Sequence, residues 1–173
     1  MTPEQIRSLP VDTISKPDCV LFLWATMPQL PVALAVMKSW GFTYKTVAFV
    51  WVKKTKNDKL HWGMGNWTRA NPEMVLLGVK GKPKRVSRSV HSVVEAKVGA
   101  HSRKPEEVRQ QIVRLMGPEA SYVELFARPP VPEGWDVWGN EVECSFEFPT
   151  AASRLAVLKN AGSPQGSGNV PEV

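Results

Sequence analysis

Trp62, Trp67 and Arg69 fall in the glycine-containing loop "WGMGNWTRANPE", which Glu73 closes. Lys80, Lys82, Lys84, Arg85 and Arg88 follow within nine positions. Indole rings beside a guanidinium stack on nucleobases, and a cationic run lines a phosphate track. The plainer alternative folds the tryptophans back onto a sheet edge and leaves the lysines solvated. Three further groups suit the recognition of an anionic or nucleoside-like ligand. In "HSRKPEE", His101 and Lys104 stand just before a helix, where a cation is disfavoured unless an anion binds there. In "ELFARP", Arg128 ends a strand beside a small residue and has the planar fork that grips carboxylates and phosphates. In "GWDVWGNEV", Asn140 and Glu141 follow a glycine and carry donors and acceptors for a ribose or an amino-acid moiety. Each has a bland counterpart: a solvated lysine, a surface arginine, and a Gly-Asn turn closing an edge strand.

The elements that must position these groups are legible as runs. "TPEQIRSLPV" predicts a short helix capped by Thr2 and stopped by Pro10. "DCVLFLWAT" predicts a strand buried on both faces. "QLPVALAVMKSWGF" predicts a helix with Leu34, Met37 and Trp40 on one side and Gly41 as its stop. "YKTVAFVWVKK" and "EMVLLGVKG" predict two more strands, and Lys82 to about Ala100 reads as an irregular basic segment. "SRKPEEVRQQIVRLMG" is the clearest helix, with Ser102 as cap and Gly117 as stop. "SYVELFARP" is a fourth strand. "AASRLAVLKNAG" is weakly helical, and the chain is expected to be flexible from about residue 162. Apolar strands alternating with helices predict an α/β domain, its sheet mostly parallel and covered on both faces. Ligands bind such sheets beyond the carboxyl ends of the strands. That singles out "LWAT", "VKGKP" and "LFARP".

The totals narrow the function classes. The chain has 173 residues, 43% hydrophobic and 22% charged, enough for one domain with a core. Its net charge of +6 is a mild argument for a polyanionic partner. Two cysteines without zinc-type spacing argue against a disulfide framework or a metal site. No apolar run reaches membrane-spanning length and no secretory leader is visible, so a cytoplasmic location away from membranes is expected.

Five segments together resemble one family, in order and spacing. They are "DCVLFLWAT", "GNWTRANPEMVLLGVKGKPKR", "HSRKPEEVRQQIVRLMG", "YVELFARP" and "GWDVWGNEV". The family is the adenine N(6)-methyltransferases typified by the seventy-kilodalton catalytic subunit of the messenger-RNA methylating complex, and the likeness is strongest to its short bacterial and phage members. The resemblance covers residues 1–142 as a methyltransferase-like domain, leaving 143–173 as a C-terminal extension. It implies a permuted Rossmann-like fold, S-adenosylmethionine as cofactor, and DNA or RNA as substrate. It implies cofactor-binding roles for Lys104, Phe126, Arg128, Asn140 and Glu141. Trp67 and Glu73 would help form the acceptor pocket, and Lys82, Lys84 and Arg85 would meet the nucleic acid, as Arg69 does on the reading of its loop above. Homo- and heterodimeric forms both stay open.

The family's catalytic signature, Asp-Pro-Pro followed by an aromatic, does not occur in these 173 residues. In the short members it lies upstream of a segment resembling "TMTPEQIRSLPV", on a central strand beside "YVELFAR". The expectation is therefore a shortened member with that strand missing and with weak or no methyl transfer. The alternatives are a non-catalytic nucleic-acid-binding or scaffold subunit, or a start codon placed too far downstream.

Overall fold

The computed structural model describes residues 1–65, 67–99 and 103–150. The opening helix α1 (Pro3–Arg7) forms because Thr2 accepts from the Gln5 backbone N–H while the Gln5 side chain accepts from the Thr2 N–H, a reciprocal capping box. Helix α2 (Leu30–Ser39) buries Ala33, Val36 and Met37, and Gly41 at φ +80° turns the chain out of it. Helix α3 (Glu106–Met116) buries Val108 and Ile112 and ends at Gly117. Its N-cap is Pro105, with no side-chain cap hydrogen bond. The expected cap Ser102 lies outside the described residues, as do His101, the weakly helical "AASRLAVLKNAG" and the tail.

Four strands make the main sheet: β1 (Cys19–Ala25), β2 (Thr43–Lys54), β3 (Glu73–Lys80) and β4 (Val93–Lys97), in the order β1-β3-β2-β4. A separate two-stranded parallel ribbon pairs β5 (Tyr122–Leu125) with β6 (Trp135–Trp138). The mostly parallel sheet predicted above is not found. β3 runs antiparallel to both β1 and β2, and only β2 and β4 pair in parallel, so the main sheet is mixed. The apolar run of β3 gave no warning, because a strand covered on both faces reads alike in either direction. β4 is also a correction, lying inside the segment read as irregular. Only Val94 and Ala96 of its five residues are buried, too short an alternation to stand out among basic neighbours.

Helices cover both faces, as expected of an α/β domain. Adjacent residues of β3 point to opposite sides. Leu76 joins a core with α2, Trp40 and Phe42, whereas Val75 joins Phe49, Trp51, Val108 and Ile112 under α3. β1 is only half-buried along most of its length, not fully buried as its apolar run predicted. Among the described residues it pairs with β3 alone, and β5 pairs with β6 alone. Each therefore has one unpaired edge.

The ribbon is tied to α3. Arg109 grips Glu124 through two hydrogen bonds of 2.8 Å, and Tyr122 stacks on Trp135 with centroids 4.7 Å apart. Burial works against the charge of Arg109, but hydrogen bonds to Glu124 and Glu106 prevail and hold it firmly protonated. The Tyr122 hydroxyl donates to the Gly117 carbonyl at 2.5 Å. Tyr122→Phe keeps the ring stack and removes only this bond. It should cost about 1 kcal/mol in urea unfolding, with an unchanged denaturant slope.

Among the described residues no helix is long and apolar enough to cross a membrane.

Candidate functional site

The mixed sheet gathers one pole. β1 and β2 both oppose β3, so their carboxyl ends lie together with the amino end of β3, and the carboxyl end of β4 joins them. Glu73, the first residue of β3, therefore stands between the carboxyl ends of β1 and β2. Its carboxylate bridges two ammonium groups: Lys53 at 2.8 Å and Lys104, with which it makes a very short hydrogen bond. Lys104 also sits over the Trp24 ring, 5.1 Å from its centroid, and Lys53 over Trp51 at 5.2 Å. Trp24 and Trp51 meet edge to face at 6.1 Å. Burial pushes the Glu73 carboxyl upward, and hydrogen bonds from Lys104 and Lys53 more than reverse this, holding it below its ordinary value of 4.5.

Asn71, the one buried polar residue of the described core, fastens the preceding loop to the same strand ends. Its amide donates to the carbonyls of Lys53 at 2.9 Å and His61 at 2.6 Å, and its oxygen accepts from the Lys53 N–H at 3.0 Å. Beyond this anchor the loop projects. Trp67 is 99% exposed, so it does not fold back on the sheet, while Trp62 is 52% exposed. Arg69 is exposed beside them.

A second group forms at the end of the ribbon. The Ala127 N–H donates to the Trp138 carbonyl at 3.0 Å, carrying the ribbon pairing one step past β5. Gly139 presses on that backbone. A Cβ there would lie 2.8 Å from the Ala127 oxygen and 2.9 Å from its nitrogen. Phe126 is held at φ +59°, a conformation that costs an aromatic residue energy, and its ring remains 42% exposed. It meets Trp138 edge to face at 5.6 Å. Arg128 pairs with Glu141 at 3.0 Å, both about half exposed, and Asn140 is exposed next to them. A concavity of about 560 Å³ on the ribbon is lined by Pro129, Val131, Trp135 and Val137 among others, but shares only Glu141 with this group.

Lys16, three residues before β1, donates through its side chain to Ser121, just before β5, at 2.9 Å. At the far end of β5, Leu125 packs against the core cluster that α2 helps to form.

The structure thus brings Glu73 together with Lys104, and brings Phe126, Arg128, Asn140 and Glu141 together on the ribbon. Trp67 and Arg69 lie on the loop leading into Glu73. Lys82, Lys84 and Arg85 do not join them. They follow Lys80, which pairs with Cys19 at the start of β1, and the Lys82 N–H bonds Asp18 at 2.7 Å. They therefore lie at the opposite end of β3, because that strand runs antiparallel. Sequence reasoning missed Lys53 and Asn71, and it singled out the strand end "LWAT" without giving its Trp24 a role. The signal for Lys53 was the carboxyl end of "YKTVAFVWVKK", a strand end equivalent to the three that were singled out.

The chain matches a family model described as MT-A70 over residues 1–141. It is 39% identical over 150 residues to the type II methyltransferase M.MunI of a Mycoplasma species, covering 85% of this chain and 61% of that protein. It is 33% identical over 147 residues to an Arabidopsis thaliana N(6)-adenosine-methyltransferase MT-A70-like protein, covering 82% of this chain and 21% of that protein. It is 30% identical over 158 residues to the human N(6)-adenine-specific methyltransferase METTL4, covering 82% of this chain and 32% of that protein. The chain therefore spans less than two thirds of the length of each of these relatives. With the family model matching most of its length and the same segments carrying both rims of the site, the chain belongs to the MT-A70 family.

Proposed function

We propose that the chain forms the cofactor and acceptor rim of an S-adenosylmethionine-dependent methyltransferase acting on adenine N(6) in nucleic acid. The observation that carries this reading is the pairing of Lys104 with Glu73 beside Trp24 at the sheet pole, with Phe126, Arg128 and Glu141 gathered on the ribbon. The residues fit the cofactor's chemistry. Lys104, oriented by Glu73 and Trp24, suits its carboxylate. Asn140 and Glu141 suit ribose hydroxyls, and the exposed Phe126 offers a ring face to its adenine. When bound, S-adenosylmethionine supplies an electrophilic methyl group on a sulfonium. Trp67 and Arg69 contact the nucleic acid near the acceptor base. Lys82, Lys84 and Arg85, at the opposite pole, contact phosphates away from the reacting adenine.

The exocyclic amine of adenine is a poor nucleophile, so transfer depends on acceptors that aim it at the methyl group. The Asp-Pro-Pro-aromatic tetrapeptide that the family uses for this is not among these residues. In our reading its strand falls between β1 and β5, each of which has one edge unpaired among the described residues.

The 173-residue chain alone is accordingly expected to bind the cofactor and to transfer methyl groups weakly or not at all. Calorimetry with S-adenosylmethionine should show binding that Lys104→Ala weakens about tenfold. No binding heat, alongside salt-dependent nucleic-acid binding, would instead favour the non-catalytic scaffold. Robust labelling of adenine-rich DNA or RNA would overturn the expected weakness.

A further inference from the structure

The loop between His61 and Asn71 has a hydrogen-bonded neck and, among its described residues, an apolar tip. At the neck, Asn71 makes its three hydrogen bonds, and the Gly63 N–H donates to the Ala70 carbonyl at 2.7 Å, closing the loop on itself. At the tip, Met64 is 92% exposed and Trp67 99%. Large apolar side chains on a pinned loop gain nothing for the fold where they stand, and each leaves apolar surface in water. The surroundings are cationic. The turn after β2 folds back through the Thr55 N–H bond to the Lys59 carbonyl, at 2.7 Å, and a bridge between Lys54 and Leu60. It brings Lys56 and Lys59 to the strand end that holds the loop. Neither these lysines nor Arg69 forms a salt bridge among the described residues.

We propose that this loop is a wedge for double-stranded nucleic acid. Met64 and Trp67 enter the base stack beside the adenine to be modified, while Lys56, Lys59 and Arg69 meet the flanking phosphates. Methionine points to a wedge rather than a stacking platform, since it has no ring face to offer a single strand but fills an opened base step well. Glu73 follows two residues after the anchor Asn71, so the wedge is fixed to the rim where the acceptor base is expected. The inference rests on the nucleic-acid reading above and adds the substrate class, a duplex that must be locally opened.

The test uses the full chain and its Met64→Ala, Trp67→Ala and double variants. Both side chains are almost wholly exposed, so the variants should fold like the parent. Fluorescence anisotropy measures binding to a fully paired duplex, the same duplex with one unpaired adenine, and the single strand, each as DNA and as RNA. Opening a paired step costs energy that an unpaired base has already spared. The double variant should therefore lose about tenfold on the paired duplex and much less on the duplex with the unpaired adenine. Equal losses on all probes would mean a stacking platform, and would overturn the wedge. Unchanged binding to every probe would overturn it too, and a simultaneous change in the chain's sedimentation would mark the tip as a protein contact. Methyl transfer and cofactor binding are separate readouts. Their failure with the unpaired-base rescue intact would overturn the methyltransferase reading but not the duplex wedge.

Discussion

Glu73→Ala should lower the unfolding free energy by about 2–3 kcal/mol, at the lower edge of what breaking a buried ion pair costs. The substitution strands two ammonium groups, Lys53 and Lys104, whose side chains are 21% and 35% exposed, without the carboxylate that both face. Partial hydration of both lysines limits the loss. The same carboxylate should set an acid limb. Its folded-state value lies below the ordinary 4.5, so its contribution is complete above that value and fades as pH falls toward the lower one. The parent's melting temperature should therefore drop, as pH falls below about 4.5, more steeply than that of Glu73→Gln, which is shaped alike but does not titrate. Parallel melting curves would show that Glu73 is not held charged by its two lysines. Cofactor calorimetry on Glu73→Gln adds a functional readout, because Lys104 would lose the partner that aims it.

Gly139→Val should do comparable damage by a different route. The new side chain would begin 2.8 Å from the Ala127 carbonyl oxygen, a backbone atom that cannot swing aside as a side-chain tip would. The ribbon must open at the point where Phe126, Arg128, Asn140 and Glu141 converge. Overpacking of this kind costs about 2 kcal/mol, and S-adenosylmethionine affinity should fall more than tenfold. Gly134 is the control. It lies at φ +74° with no atom within 4 Å of its missing Cβ, so Gly134→Asn, tolerant of that conformation, should leave cofactor binding unchanged. If the two variants bind cofactor equally well, the close approach at Gly139 has no part in shaping the site.

The local chemistry of this chain is written in its sequence. Thr2 and Gln5 cap α1, Gly41 and Gly117 end α2 and α3, and the apolar runs become β1, β2, β3 and β5, because caps, stops and burial patterns act over a few neighbouring residues. The segments that carry the family likeness are of the same kind, short and contiguous. The direction of β3 was decided elsewhere. It depends on which strands flank it and how the chain reaches them, and its apolar residues fit either direction. That one choice moved Lys82, Lys84 and Arg85 to the far pole and delivered Glu73 to the near one. The union of Lys53, Glu73 and Lys104 was decided there too, since the three come from a strand end, a strand start and a helix approach. An ion pair depends on distance in space, which sequence separation does not encode, so only the packed sheet could select these partners.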